Sequence, residues 1–241
     1  MGDRAVSSSD LTMRVLLISH EPQASPGVIG RLLYERGIET ETHIVLEDPV
    51  NPNTAFPDPG DFDAVISFGS FCNAYDPAVR DWVEPEVSLI SDMVERDIPY
   101  LGVCFGGQLL AEALGGSVER APAGSDEIGL IDIDSDVAEI PSGPWFSWHE
   151  DRTTLPDHVT VLAHNGNAPQ LFRYGRAVGT QFHPEAEIPL VRTWTEIGGD
   201  HIPARTSATE ILHDLQVRRE DLEANCARLV DWFLEDVARE R

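Results

Sequence analysis

The chain has 241 residues, 41% of them apolar, enough to bury a proper core without forcing a division into several domains. Its 42 acidic residues face 17 basic ones, every one an arginine, and the formal net charge of -25 argues against nucleic acid or an anionic membrane as a partner. No run approaches the roughly 18 to 20 uninterrupted apolar residues of a membrane helix, and Cys72, Cys104 and Cys226 are too few and too scattered for a disulfide framework or a zinc site. The acidic residues are spread along the chain, as in a solvated shell. Met1 to Thr12 is polar, lacks the apolar segment of a secretory signal and reads as a frayed tail. One domain over residues 13–241, located in the cytoplasm, is the expectation.

Arg14 to Ile18 is a short apolar run of strand character. Ser25-Pro26 then marks a helix start, and Val28, Ile29, Leu32 and Leu33 give it an apolar face that ends at Gly37. Ile38 to Val45 reads as a second extended segment, Asp48 to Pro59 as a proline-rich loop, and Ala64 to Ser67 as a strand entering Phe68-Gly69-Ser70. A helix follows over Val79, Val83, Val87, Ile90 and Val94, with Pro85 expected to kink or split it. Ile98 to Val103 is apolar throughout, as a strand buried on both faces should be, and runs into Cys104-Phe105-Gly106-Gly107-Gln108 and a helix that Gly115-Gly116 stops. Alternating strands and helices predict a mostly parallel sheet covered on both sides, with its site at the carboxyl ends of the strands.

The second half changes texture. Ile128 to Ile133, Val159 to Ala163, Gln170 to Tyr174 and Ala177 to Phe182 are short extended runs, which predict an antiparallel extension of the sheet. Leu222, Cys226, Leu229, Phe233, Leu234 and Val237 recur at spacings of three and four and predict a closing helix, with Cys226 in its core stripe.

The chemistry concentrates in two places. Cys104 follows a buried strand and precedes two glycines, the arrangement of a nucleophile elbow in which a cramped turn presents one side chain and the next helix aims its N-terminal amides at the sulfur. Far along the chain, Gly179-Thr180-Gln181-Phe182-His183-Pro184-Glu185 ends an extended run with an imidazole and, two residues on, a carboxylate. His183 is suited to take the thiol proton and return it to a departing amine, and Glu185 to hold the ring's tautomer. His149 reads equally as a structural histidine, Cys72 as packing, and His20-Glu21-Pro22, at the end of the first strand, is open between binding and capping. No metal-ligand spacing, phosphate loop or dinucleotide fingerprint occurs, so no metal and no cofactor are expected.

Taken together, the segments Gly102 to Gln108 and Gly179 to Glu185 resemble the paired signature of class I glutamine amidotransferases, most of all the stand-alone amidotransferase domains related to that of GMP synthase. Phe68-Gly69-Ser70, Glu127-Ile128-Gly129 and Trp148 to Asp151 fall in the family's order, so the likeness covers nearly the whole chain. It implies a flavodoxin-like sheet flanked by helices and a γ-glutamyl thioester on Cys104, with His183 as base and Glu185 as its orienting acid. It also implies backbone donors from Gly69 and Phe105 to the oxyanion, and a substrate pocket involving Gln108, Gly107, His149 and Glu150. Relatives usually carry a bulkier residue at Gly107, a glycine at Glu150 and Gly-Gly-Pro at Phe68-Gly69-Ser70. The first two departures enlarge the expected pocket and add a carboxylate facing a substrate ammonium.

The resemblance leaves three functions to separate. A glutaminase would hand ammonia to a separate ATP-dependent synthase, because this chain carries no ATP-binding loop. A self-sufficient γ-glutamyl hydrolase or peptidase would use water on the same thioester of a larger γ-glutamyl compound. A non-catalytic regulatory relative is disfavoured by the presence of the cysteine, histidine and acid together.

Overall fold

A computed structural model describes residues 12–239. Of the expected tail, Met1 to Thr12, residues 1–11 lie outside the described residues. In chain order the elements are β1 Arg14–Ser19, α1 Gly27–Glu35, β2 Glu39–Ile44, β3 Ala64–Ser67, α2 Arg80–Glu95, β4 Tyr100–Val103 and α3 Phe105–Ala113. The second half holds β5 Ser117–Arg120, β6 Glu127–Ile131, β7 Asp134–Ser135, β8 Trp145–His149, β9 Asp151–Thr154, β10 Thr160–His164, β11 Pro169–Tyr174 and β12 Ala177–Thr180. Helices α4 Ile188–Ile197, α5 Ala208–Val217 and α6 Arg219–Trp232 close the chain, and a π-helical turn extends α6 through Val237.

The eight-stranded sheet runs β2-β1-β3-β4-β12-β11-β10-β7. Its first five strands are parallel and the last three join by antiparallel pairings, so the expected mostly parallel core with an antiparallel extension is what forms. Apolar strand residues are buried on both faces. One face packs Val15, Leu17, Ile66 and Val178 against α1 and α6, Cys226 included; the other packs Leu16, Ile18, Val65 and Tyr100 against α2 and α3. Helices α1 and α2 carry the β1-to-β2 and β3-to-β4 crossovers, and the parallel pairings bring the carboxyl ends of β1, β3, β4 and β12 to one edge.

Two expectations fail locally. Ile128 to Ile133 does not extend the main sheet: β6 pairs with β8 in a separate ribbon, and β5 with β9 in another. The β6–β8 ribbon and helices α4 and α5 form a third apolar cluster around Phe146, Leu190, Val191, Trp194 and Ile211. Helix α2 also continues through Pro85, so the expected split does not occur. The bond that proline forfeits is the one to the carbonyl of Asp81, an exposed residue of the first turn, where water can replace it.

Candidate active site

Strand β4 delivers Cys104 into a turn with φ 50° and ψ -103°, a conformation that non-glycine residues adopt only under constraint. The constraint is visible. Cys104 N–H donates to the Thr180 carbonyl at 2.8 Å, and Gln108 N–H donates to the Cys104 carbonyl at 2.8 Å, which starts α3. The first turn of α3 lies on its neighbours backbone to backbone: a Cβ on Gly106 would stand 2.4 Å from the Ser67 carbonyl oxygen, and one on Gly107 would stand 2.6 Å from that of Thr180. Gly107 therefore faces β12 and is not among the cleft-lining residues, which corrects the expectation that it enlarges the pocket. Its lack of a side chain serves packing.

Beyond β12 the chain places His183 beside the elbow, with its own N–H bonded to the Phe146 carbonyl at 2.7 Å. His183 Nδ1 lies 2.7 Å from Glu185 Oε1, both groups buried, and the carboxylate acceptor makes Nδ1 the donor. Burial works against a charge on the ring. The Glu185 carboxylate and then Cys104, which also hydrogen-bonds to the ring, more than offset it and hold the imidazole well above its usual pKa. Gln181 Nε2 donates to Cys104 Sγ at 3.7 Å. Gly69 lies against the ring so closely that a Cβ there would come within 2.9 Å of His183 Cε1, and the Trp194 ring centroid is 4.8 Å away on another side.

Phe105 N–H opens α3 and so has no partner within the helix. Gly69 N–H makes no hydrogen bond among the described residues. The Phe68 carbonyl of the same peptide accepts from Gly106 N–H at 3.1 Å, and in a trans peptide that turns Gly69 N–H to the opposite side.

These groups line a cleft of about 240 Å³ that also takes in Gln108, Ile128, Trp148, His149, Glu150, Asp151 and Trp194. His149 borders it, yet both ring nitrogens are engaged: Nδ1 donates to the Asp151 carbonyl at 2.8 Å and Nε2 pairs with Glu127 Oε2 at 3.0 Å. Glu127 in turn accepts from Asn165, Asn167 and Gln170, a closed network that fixes the ring. Glu150 lines the cleft but bonds to Arg120 at 2.7 Å, so its charge is already paired. Asp151, absent from the expected site, has the unpaired charge: its carboxylate accepts from Tyr75 Oη at 3.0 Å and has no ion-pair partner among the described residues. Burial raises its pKa, the opposing Tyr75 hydrogen bond notwithstanding. The clue in the sequence was its place directly after His149-Glu150. Gln181 lies within the Gly179 to Glu185 motif, but its contact with Cys104, like the place of Trp194 beside His183, arises only through the fold. Among the described residues no cluster of three or more His, Cys, Asp or Glu side chains could hold a metal ion, and no helix is long and apolar enough to cross a membrane.

Residues 28–190 match a family described as glutamine amidotransferase class-I. A GMP synthase [glutamine-hydrolyzing] of Thermosynechococcus vestitus is 40% identical over 124 residues, which is 46% of this chain and 23% of that protein. The glutamine amidotransferase-like protein YfeJ of Salmonella typhimurium is 30% identical over 74% of this chain and 78% of its own length. A solved structure of a glutamine amidotransferase from Thermotoga maritima superposes with a TM-score of 0.82 at 26% identity, covering 94% of this chain and all of that one. Another, from Methylobacillus flagellatus, gives 0.79 at 25% identity over 95% of this chain and 97% of its own.

Proposed function

The chain belongs to the class I glutamine amidotransferase family, and from that premise we propose that it is a cysteine amidohydrolase that cleaves the γ-amide of glutamine through a thioester on Cys104. The observation that carries this reading is the convergence, at one sheet edge, of a strained Cys104, a His183–Glu185 pair in contact with it, and two free backbone donors. In the proposed reaction the sulfur attacks the γ-carbonyl carbon and the carbonyl electrons move onto oxygen, which the N–H groups of Phe105 and Gly69 receive. Collapse of that intermediate breaks the C–N bond, and His183 gives its proton to the departing amine. Water then attacks the thioester, His183 takes a proton from it, and glutamate leaves as Cys104 recovers its proton. Asp151 offers a buried carboxylate without an ion-pair partner among the described residues for the substrate's α-ammonium, and Gln108 lines the same cleft.

The two sequence features that could have pointed to a larger γ-glutamyl compound do not act that way: Gly107 does not open the cleft, and the Glu150 carboxylate is already bound to Arg120. Because a relative is a glutamine-hydrolyzing GMP synthase, of which the match spans about a quarter, delivery of the ammonia to an ATP-dependent synthase is part of the proposal. The test is an assay of the purified chain on glutamine and on γ-glutamyl peptides. Glutamine turnover that falls by roughly 10³-fold or more in Cys104→Ala is the expected result. Brisk release of amine from γ-glutamyl peptides with poor glutamine turnover would overturn the substrate assignment, and full activity of the alanine variant would overturn the enzyme reading.

A further inference from the structure

The loop that carries Gly69 is tied to the rest of the molecule by a buried polar chain that the reaction itself does not use. His20, the residue after β1, is fully buried, and its Nδ1 stands 3.0 Å from the Gly69 carbonyl. A carbonyl only accepts, so Nδ1 carries a hydrogen. Nε2 lies 2.9 Å from Glu86 Oε2, and the other Glu86 oxygen accepts from Ser67 Oγ at 2.7 Å. Glu86 is also fully buried, on α2, so the chain links β1, β3 and α2 to a single peptide of the loop. The next residue, Glu21, holds the following turn: its Oε1 accepts from Ser70 Oγ at 2.7 Å and from Phe71 N–H at 3.2 Å. The His20 ring further packs edge-on against Phe105 at 4.6 Å between centroids, so it touches the residue that supplies the second free amide.

From this arrangement we infer that His20 is a positioning residue, held by Glu86, that keeps the Gly69 loop in the orientation able to donate to an oxyanion before any substrate or partner arrives. The Phe68–Gly69 peptide is fixed by Gly106 N–H at its carbonyl, and the Gly69–Ser70 peptide is fixed by His20 at its carbonyl. A glycine between two peptides is otherwise the residue most free to let either one turn over. With both carbonyls anchored, Gly69 N–H has one direction left, away from Gly106. A buried ionisable pair with three hydrogen bonds is a costly way to fill this space, since apolar residues of similar size often do as well or better for stability. What the pair supplies that apolar residues do not is a donor aimed at Gly69.

The inference rests on the assignment of Gly69 as an oxyanion donor, and its test separates the two. An asparagine amide lies where Nδ1 of histidine does, and a glutamine amide where Nε2 does. His20→Asn therefore keeps a donor for Gly69 and abandons Glu86, whereas His20→Gln keeps the Glu86 contact and abandons Gly69. On glutamine, His20→Gln should lose at least tenfold in kcat with KM changed less than threefold, against the 10²–10³-fold typical of removing an oxyanion donor outright. His20→Asn should stay within threefold of wild type although it is the less stable of the two by thermal unfolding. The double variant His20→Leu/Glu86→Leu removes both buried partners together and should unfold no earlier than wild type, yet lose kcat as His20→Gln does. Alkylation of Cys104 by iodoacetamide develops no oxyanion and should keep its wild-type rate in all three. Wild-type kcat in His20→Gln or in the double variant, or activities that simply follow unfolding temperature, would overturn the role of His20. Undiminished activity in Cys104→Ala would instead defeat the thioester reading beneath it.

Discussion

His183 is placed under opposed demands: burial disfavours its charged form, and the Glu185 carboxylate 2.7 Å away together with Cys104 restores it. The balance fixes the sign of a pH effect. Replacing Glu185 by glutamine removes the larger of the two effects that oppose burial and leaves only that of Cys104, so the imidazolium should lose its proton at lower pH than in the wild type. Because the departing amine needs that proton, the alkaline limb of kcat/KM should move to lower pH, and kcat should fall by roughly 10²-fold as the tautomer is lost. A pH–rate profile of Glu185→Gln checks this, and an alkaline limb that does not move would remove His183 from its role as acid. At this scale the residues Cys104, His183 and Glu185 were legible in the sequence because their spacing is local to two short motifs. Asp151, Gln181 and His20 were not, since each gains its meaning from a partner at least 49 positions away.

The elbow is where local structure and packing meet. Strand β4, the turn at Cys104 and the first turn of α3 fit together only because Gly106 brings the helix onto the backbone of β3. A methyl group there would stand 2.4 Å from a carbonyl oxygen that belongs to the sheet and has nowhere to go. Gly106→Ala should therefore lower stability by about 2–3 kcal/mol or more, the cost of overpacking a rigid site. Gly166→Ala, where a Cβ would meet nothing within 4 Å, should stay within about 0.5 kcal/mol of wild type. Chemical denaturation of the two variants measures the difference, and equal midpoints would contradict the packing account. The first half of the fold was readable because apolar periodicity and glycine or proline punctuation agree in β1, α1, β3, β4 and α3. The short strands β5, β8 and β9 and the helices α4 and α5 escaped. They belong to ribbons and a satellite cluster that bury few residues each, so their periodic signal is weak.

At the scale of the whole molecule, the sheet order decides the chemistry. Cys104 and His183 are 79 positions apart, yet β4 and β12 are adjacent parallel strands, with Val103 opposite Thr180, so the two side chains leave the same edge side by side. The neighbouring β3 brings Gly69, and β1 beyond it brings His20. The parallel core was foreseeable from alternating elements; the insertion of β12 beside β4 was not, because strand order depends on long-range pairing that periodicity does not encode. The proposed chemistry stands on a covalent intermediate at one sulfur. Acid quenching of the chain during turnover of glutamine, followed by peptide mass spectrometry, tests it most directly. A γ-glutamyl adduct on Cys104, absent from Cys104→Ala, is the expected result. Turnover with an unmodified Cys104 at every quench time, or an adduct on Cys72 in its place, would contradict it.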